Sequence, residues 1–320
     1  MIANRPRYAA RLNAFKRKGD TVAEMLAAAG RVGGLSAADL NYPDHFAAHD
    51  PTTLSRLLED QGLVLNGLAM RYYAEEGFKL GAFTHPDPAT RRAAIDLTRR
   101  GIDACAAMGG SQMTLWMGQD GFDYSFQADY SRMWDDTIAA MAEIADHNPA
   151  IDIAVEYKPN EPRAHALMPD MATTLLALRE IGRANTGVTL DFAHMLYAGE
   201  MPAKAAMLAA RSSRILGLHL NDGYGKRDDG LMAGSVHPVQ TIELLVALAR
   251  IGYDGIIYFD TFPDQSGLNP VDEARTNMRL ADRMIDLAAR LAADPALAEA
   301  QARQDAAAAT TLVMGALIGL

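Results

Sequence analysis

The chain has 320 residues and carries 40 acidic against 30 basic side chains, which gives a formal net charge of −10. This acidic balance argues against a nucleic-acid partner, because binding to a phosphate backbone requires a basic face. Hydrophobic residues make up 49% and charged residues 22% of the chain, as in ordinary globular proteins, so we expect a folded protein.

Cysteine usage and the first residues bear on the compartment. The single cysteine, Cys105, excludes an intrachain disulfide and fits a reducing environment. No apolar signal segment is recognised in residues 1–7, and the two observations together predict a cytoplasmic protein. Because Cys105 lies in apolar helical surroundings with no base beside it, we expect a core residue and not a nucleophile.

Strand-like and helix-like segments alternate eight times along the chain. The strand-like segments lie near 7–15, 34–42, 63–72, 111–117, 151–158, 186–193, 215–221 and 255–262. The helix-like segments lie near 20–31, 51–62, 86–109, 127–147, 170–183, 200–212, 237–251 and 270–293. This alternation predicts a parallel sheet, and eight repeats favour closure into an α/β (β/α)8 TIM barrel. The first segment, 8–15, could also be helical.

The predicted domain organisation is one barrel over residues 1–293 and a C-terminal tail over 294–320. The tail is rich in alanine and ends in an apolar run that is shorter than the roughly 20 residues of a membrane span. We therefore expect no membrane association. A helical tail that packs on the barrel or on a neighbouring subunit would keep its apolar side chains from water, and a homo-oligomer (dimer or tetramer) is expected.

Four ionisable residues each end a short apolar run at strand-like intervals: Glu156, Asp191, His219 and Asp260. Burial of such groups is unfavourable unless something compensates the lost solvation. In a barrel they would end strands five to eight, whose carboxyl ends converge on one face. Three carboxylates and one imidazole form a ligand set for a divalent cation. The pattern predicts a metal site.

A second group surrounds this predicted site. Lys158 follows Glu156 by two residues and so points the same way along the strand, where it could hold a substrate oxygen; a surface lysine or a counter-charge for Glu156 is the alternative. His194 and Asp228 are predicted to bind a second cation together. Asp229 is predicted to belong to a solvated turn.

Other polar residues near the strand ends leave alternatives open. Glu161 and Arg163 are expected to pair with each other or with neighbouring loops. His85 either hydrogen-bonds the substrate or caps the helix that begins at residue 86. Trp116 is predicted to form an apolar wall under a sugar ring, with core packing as the alternative. The chain lacks dinucleotide, phosphate-loop and nucleophile-elbow motifs, so nothing supports those other chemistries. The absence of an obvious phosphate clamp after strands seven and eight favours an unphosphorylated substrate.

At these positions the chain resembles the xylose-isomerase-like barrels. Glu156 with the run Lys-Pro-Asn-Glu-Pro-Arg over 158–163 is similar to the segment around the metal-binding glutamate and catalytic lysine of xylose isomerases. Segments 83–87, 190–194, 219–222 and 234–238 resemble in particular the bacterial L-rhamnose isomerase branch, which has broad sugar specificity.

The resemblance implies roles for individual residues. It matches Glu156, Asp191, His219 and Asp260 to the structural-metal ligands, and His194 and Asp228 to the catalytic-metal ligands. It also places Lys158 near the C1 end of the sugar and puts His85 and Trp116 in substrate-contacting segments. One departure is that a further carboxylate of the family is replaced here by Gly230, which predicts a weaker second metal site.

The predicted function is a divalent-metal-dependent aldose–ketose isomerase acting on an unphosphorylated monosaccharide by a metal-assisted 1,2-hydride shift. Lys158 and Asp228 are the catalytic residues in this hypothesis, and Mn²⁺ is the expected ion, with Mg²⁺ or Co²⁺ as alternatives. A ketose 3-epimerase would instead use Glu156 and Asp260 as acid and base. A non-catalytic sugar-binding protein is the third hypothesis.

Overall fold

The computed structural model describes residues 7–74 and 76–319, and in this part of the chain eight parallel strands close into a barrel. The strands are β1 Tyr8–Arg11, β2 Ala37–Tyr42, β3 Val64–Met70, β4 Gln112–Leu115, β5 Asp152–Glu156, β6 Thr186–Asp191, β7 Ile215–His219 and β8 Ile257–Phe259. Each strand pairs with the next in this order, and β1 closes the ring against β8. The predicted TIM barrel is confirmed. Residues 1–6, on which the expectation about a signal segment rests, lie outside the described residues.

Helices follow the strands and cover the outside of the barrel. They are α1 Val22–Gly30, α2 Pro51–Glu59, α3 Pro88–Ala107, α4 Tyr130–His147, α5 Met171–Ile181, α6 Phe192–Tyr197, α7 Pro202–Ser212, α8 Pro238–Ile251, α9 Pro263–Ser266, α10 Pro270–Ala293, α11 Pro295–Ala302 and α12 Ala306–Ile318. The predicted helical segments correspond to α1–α5, α7, α8 and α10. None of the helices in 7–74 and 76–319 has the length and apolar character that crossing a membrane requires.

Capping residues explain where several helices begin and end. The Asp50 side chain accepts a hydrogen bond from the N–H of Thr53 at 2.8 Å, immediately before Pro51 opens α2. Asn269 caps α10 in the same way before Pro270. Gly252 ends α8 at its C-terminus. It adopts φ 82°, a left-handed conformation that favours glycine and stops the helix.

The structure differs from the sequence-based expectation at three places. The first segment is half strand and half turn, because β1 passes directly into a 3₁₀ turn over Leu12–Phe15. The helices α6 and α9 were not predicted, and they begin one and three residues after the ionisable residues that end the strand regions, Asp191 and Asp260. Outside the barrel, Gly121–Phe122 and His165–Ala166 form a small antiparallel sheet.

The hydrophobic core lies between the barrel and its helices. Cys105 on α3 is fully buried there, its thiol donates to the carbonyl of Gln112 at 3.4 Å, and burial raises the pKa of the thiol to about 11. A thiol with a raised pKa is a poor nucleophile, which agrees with the predicted core position.

The C-terminal tail is helical, as predicted, and consists of α11 and α12. Leu312, Val313 and Leu317 of α12 are partly buried against the core, yet no residue of α12 is fully buried. The division of the chain at residue 293 into barrel and tail stays a prediction.

Candidate metal and substrate site

Four side chains meet at the carboxyl ends of β5 to β8. Glu156, Asp191 and His219 end β5, β6 and β7, and Asp260 follows β8 directly. One potential ligand atom from each of the four lies within 4.8 Å of the other three. Parallel strands of a barrel present their last residues to the same mouth, so residues far apart in sequence become neighbours. The structure brings together the four residues that the sequence pattern selected.

Asp191 is held in place by hydrogen bonds that also organise its neighbours. The amide of Asn221 donates to both carboxylate oxygens at 3.2 and 3.1 Å and to the Asp260 carbonyl at 3.3 Å. The N–H of His194 donates to Asp191 Oδ1 at 2.9 Å, because Asp191 caps α6. Asn221 is fully buried and was not singled out from the sequence. It stands two residues after His219, in a segment that resembles the family.

The imidazole of His219 has a buried nitrogen without a hydrogen-bond partner among the described residues, and a cation could bind there. Its Nδ1 is buried and has no hydrogen-bond partner within the described residues, although it lies 3.4 Å from Glu156 Oε1 and 3.6 Å from Asp191 Oδ2. Burial opposes a positive charge on His219, but the adjacent Glu156 and Asp191 raise its pKa well above the ordinary value. A group of three carboxylates around one orphaned imidazole nitrogen could hold a divalent ion.

The carboxylates of the cluster lie close together, and their negative charges repel each other. Burial raises the pKa of Asp260 above its ordinary value, although His219 and Arg11 act in the opposite direction. Like-charged groups in a buried cluster disfavour each other's ionisation unless a cation neutralises them. Since ligand groups must lose their protons to bind a metal, ion binding at this cluster would release protons.

Addition of Mn²⁺ is expected to raise the melting temperature of the chelator-treated protein. An ion that binds only the folded state at a hundred times its Kd stabilises it by about 2.7 kcal/mol. Differential scanning fluorimetry after chelation, with Mn²⁺ titrated back, measures this effect, and elemental analysis of gently purified protein measures the bound ion. Absence of metal in that preparation, combined with an unchanged melting temperature, would exclude the site.

A second polar cluster lies beside the four ligands. His194 Nε2 lies 3.1 Å and Lys158 Nζ 3.2 Å from the same oxygen, Asp228 Oδ2. Burial opposes the charge on Asp228, but His194 and Lys158 hold the pKa of its carboxyl well below the ordinary value. The second oxygen, Asp228 Oδ1, is buried without a hydrogen-bond partner among residues 7–74 and 76–319. His194 and Asp228 are thus adjacent, and a second ion between them stays a prediction.

The surroundings of Gly230, where the resemblance would place a further carboxylate, leave no room for a side chain. Gly230 has φ 57°, and a Cβ built there would lie 2.3 Å from the ring of Phe262. A side chain at residue 230 would therefore displace Phe262, which lines the cavity. Asp229 cannot replace it, because its carboxylate accepts from the N–H of Tyr224 at 2.8 Å and pairs with Arg227 at 2.7 Å. Asp229 stabilises the turn, but the predicted solvated position is wrong for its side chain, which is only 9% exposed.

Lys158 is buried in the wall of the cavity and is fixed by three neighbours. Its Nζ lies 2.8 Å from Glu161 and 3.2 Å from Asp228, and it stands 5.2 Å from the centre of the Trp116 ring. Of the two expected arrangements of Glu161 and Arg163, pairing of their side chains with each other does not occur, because Glu161 reaches Lys158. Arg163 pairs with a neighbouring loop instead, at 2.8 Å from Asp123.

A cavity of about 370 Å³ opens at this mouth of the barrel, a size typical of small-molecule sites. Trp116 lines it, as expected. His85 is not among the described lining residues. Its Nδ1 accepts from the N–H of Asp87 at 3.1 Å, but α3 begins at Pro88 and is capped by Asp87, so the predicted capping by His85 is wrong and its contact with substrate stays a prediction. Lining residues that were not predicted come from or follow β1, β2, β3 and β8: Arg11, Asp39, Asn41, Arg71, Tyr73 and Phe262.

Comparisons with known proteins agree with this fold. The family model "Xylose isomerase-like TIM barrel" matches residues 23–293. Xylose isomerase from Thermus thermophilus is 28% identical over 213 residues, which cover 64% of this chain and 54% of that protein. The chain thus spans about half the length of this curated relative.

Solved structures show the same fold at low identity. D-allulose 3-epimerase from Methylomonas sp. superposes with a TM-score of 0.69 at 20% identity, covering 88% of this chain and 99% of the other. A D-tagatose 3-epimerase-like protein superposes with a TM-score of 0.71 at 16% identity, and the match covers 88% of this chain and 98% of the other. The suggested L-rhamnose isomerase branch stays a prediction. With the family match over residues 23–293, the chain belongs to the xylose isomerase-like TIM barrel family.

Proposed function

We propose that the protein is a divalent-metal-dependent isomerase that interconverts an aldose and a ketose, acting on an unphosphorylated monosaccharide. The family match and the similarity to a protein named xylose isomerase support a sugar-processing enzyme. The observation that carries the finer proposal is the buried ammonium group of Lys158, which lies in the same cavity as the candidate metal ligands.

Lys158 is suited to stabilise negative charge on a substrate oxygen. Burial opposes its charge, but Asp228 and Glu161 raise its pKa, so the side chain stays cationic. A fixed and buried cation stabilises developing charge more strongly than the same group in water. In the proposed orientation, the C1 oxygen of the open-chain sugar accepts a hydrogen bond from Lys158 Nζ.

The reaction transfers a hydrogen between neighbouring carbons. In the direction from aldose to ketose, the hydrogen on C2 moves to C1 with its electron pair, O2 loses a proton and becomes the carbonyl oxygen, and O1 gains a proton. Asp228 remains ionised because its pKa is low, and its unpartnered Oδ1 can accept the hydrogen bond of the O2 hydroxyl. Trp116 would form the apolar wall beside the sugar carbons.

Glu156, Asp191, His219 and Asp260 would hold one ion firmly, and His194 with Asp228 would hold a second, weaker one. A bound divalent ion supplies Lewis-acid polarisation of the O1 and O2 edge of the sugar. We propose Mn²⁺, with Mg²⁺ or Co²⁺ as alternatives, because oxygen-rich ligand sets with one or two imidazoles suit these ions.

A ketose 3-epimerase is the second candidate. It is supported by Glu156 and Asp260, two carboxylates that reach one cluster from β5 and from the end of β8 and could act as acid and base on C3. The names of two structurally similar proteins, D-allulose 3-epimerase and D-tagatose 3-epimerase-like protein, point the same way.

Incubation of the Mn²⁺-supplemented protein with a panel of aldoses and ketoses, followed by NMR of the products, tests the proposal. We expect an aldose and the ketose with the same configuration from C3 onward to interconvert. A ketose converted only into its C3 epimer would overturn the isomerase in favour of the epimerase. Sugar binding without any product would instead support a sugar-binding protein.

We also propose a cytoplasmic location and a homo-oligomer, either dimer or tetramer. The lone buried cysteine supports the first. The apolar side chains that α12 leaves partly exposed support the second, because contact between subunits would cover them.

A further inference from the structure

The half of the cavity opposite the candidate metal ligands is built around an arginine. Arg71 follows β3, which lies four strands away from β7 in either direction around the closed barrel. Arg71 therefore faces the cavity from the side opposite His219, and both residues line it. A small molecule that contacts the ligand cluster at one end reaches Arg71 at the other.

The guanidinium of Arg71 has a fixed orientation, and none of the carboxylates that the structure describes neutralises it. It stacks on the ring of Tyr73, with 4.3 Å between the guanidinium carbon and the ring centre. Its Nε is buried and lacks a hydrogen-bond partner, and no carboxylate lies within 4.0 Å of its nitrogens, in the part of the chain that the structure describes. Burial and the neighbouring Arg11 lower the pKa of Arg71, and Asp44 and Asp260 counteract this only from a distance.

Arg71 is half-buried, and a cation that has lost part of its solvation without gaining a partner is unfavourable unless a ligand compensates that loss. The stacking contact with Tyr73 fixes the plane of the guanidinium, so its N–H groups point in a defined direction. A planar fork of this kind matches the two oxygens of a carboxylate. Both features indicate an anion that arrives with the substrate.

We propose that Arg71 binds a carboxylate at the far end of the open-chain sugar, so that the substrate is a sugar acid. This inference rests on the proposed function, because it assumes that the C1 and C2 end of the sugar lies at the ligand cluster. An aldehyde at C1 and a carboxylate at C6 together define a hexuronate. Its ketose product carries the same carboxylate.

The cations of the cavity wall that are free to pair with a substrate favour a substrate with a single negative charge. Arg11 is the other guanidinium in the cavity wall, but it is already paired with Asp264 at 2.7 Å and lies 3.8 Å from Asp260. Lys158 is paired with Glu161 and Asp228. Among the described lysines and arginines that line the cavity, Arg71 is then the one without a paired carboxylate. One cation balances a carboxylate, whereas a phosphate carries about two negative charges near neutral pH.

Isothermal titration of the Mn²⁺-supplemented protein tests this inference. The ligands are D-glucuronate and D-galacturonate, their neutral parents D-glucose and D-galactose, and the two hexose 6-phosphates. We expect at least one hexuronate to bind about tenfold or more tightly than its parent hexose, since hydrogen bonds between charged groups are strong. Arg71→Met should abolish this advantage, so that the variant binds hexuronates no more tightly than their parent hexoses.

Two further variants keep the test interpretable. Arg71→Lys retains the charge but loses the planar fork, so we expect an intermediate preference for hexuronates. Arg92→Met removes an arginine from the outer surface of α3, where it pairs with Glu143 at 2.8 Å, and should leave all affinities unchanged. Melting temperatures of the three variants show whether each one folds.

Three results would overturn the inference: equal affinity for hexuronates and hexoses, a hexuronate preference that survives in Arg71→Met, or tighter binding of the 6-phosphates. Failure of the proposed function gives a different result. Arg71-dependent binding of a hexuronate without interconversion would refute the isomerase and leave the carboxylate site standing. Turnover of neutral sugars, without tighter binding of sugars that carry a carboxylate, would refute the carboxylate site and leave the isomerase standing.

Discussion

Replacement of Lys158 by methionine is expected to lower kcat by about 10²–10³, the usual effect of removing one preorganised donor to a developing charge. Methionine retains much of the length of the side chain but carries no charge. Asp228 keeps its contact with His194, at 3.1 Å, so the fold and the four metal ligands should persist. Steady-state kinetics, metal content and melting temperature of the variant measure the three expectations.

The exposed Lys226 provides the matched control, because it lies on the same loop as Asp228 but does not line the cavity. Lys226→Met should retain wild-type kinetics. Near-normal turnover of Lys158→Met would show that the isomerase assignment of Lys158 is wrong. In that case Glu156 and Asp260 would become the better candidates for the chemistry.

Asp191→Asn is expected to remove the firmly bound ion and to lower kcat by about a thousandfold or more, since Lewis-acid stabilisation contributes several kcal/mol. Asp191 is the least exposed of the four ligands, and both of its oxygens face the Asn221 amide. An asparagine there would direct an N–H₂ group at the amide donor or at the ion. Elemental analysis and turnover, each measured with and without added Mn²⁺, check the result.

His194→Ala serves as the comparison for this variant. Removal of His194 takes away a ligand of the proposed second ion and none of the first, so one ion per chain should remain. If Asp191→Asn keeps a full complement of metal and normal kcat, the four-residue site is not the functional centre. Equal metal loss in both variants would show that the two proposed sites are not separate.

The side of the site formed by β5 to β8 could be predicted because burial of charged groups is rare. Apolar runs that end in Glu156, Asp191, His219 or Asp260 are unusual in a strand, and their spacing of about one βα unit predicts a common face. The structure brings these four side chains within 4.8 Å of one another. These four residues could be recognised from the sequence because each one ends its own apolar run, so each strand indicates a buried ionisable group by itself.

The opposite side could not be predicted in the same way. Arg11 and Arg71 follow short or mixed runs, and an arginine at the start of a loop normally extends into water. Only the closed barrel shows that both face the cavity. The same limit applies to Glu161, because its pairing with Lys158 depends on how the loop after β5 folds back. These contacts depend on the conformation of the loops, which cannot be predicted from the spacing of residues in the sequence.

Local structure next to the strands was also hidden from the sequence pattern. The helix α6 is six residues long and begins immediately after Asp191, so its apolar residues read as a continuation of the strand. His194 reaches Asp228 because this turn of helix redirects the chain. His85 had two interpretations, and capping of α3 by His85 is excluded because Asp87 is the residue that caps this helix.

The fate of a deuterium label at C2 of the aldose tests the central claim most directly. The Mn²⁺-supplemented protein is incubated in ordinary water with a C2-deuterated aldose that it converts, and the ketose product is analysed by NMR and mass spectrometry. A hydride shift predicts that the deuterium appears at C1 of the ketose with little loss to water. Complete loss of the label to water would show proton abstraction through an enediol and would contradict the proposed mechanism.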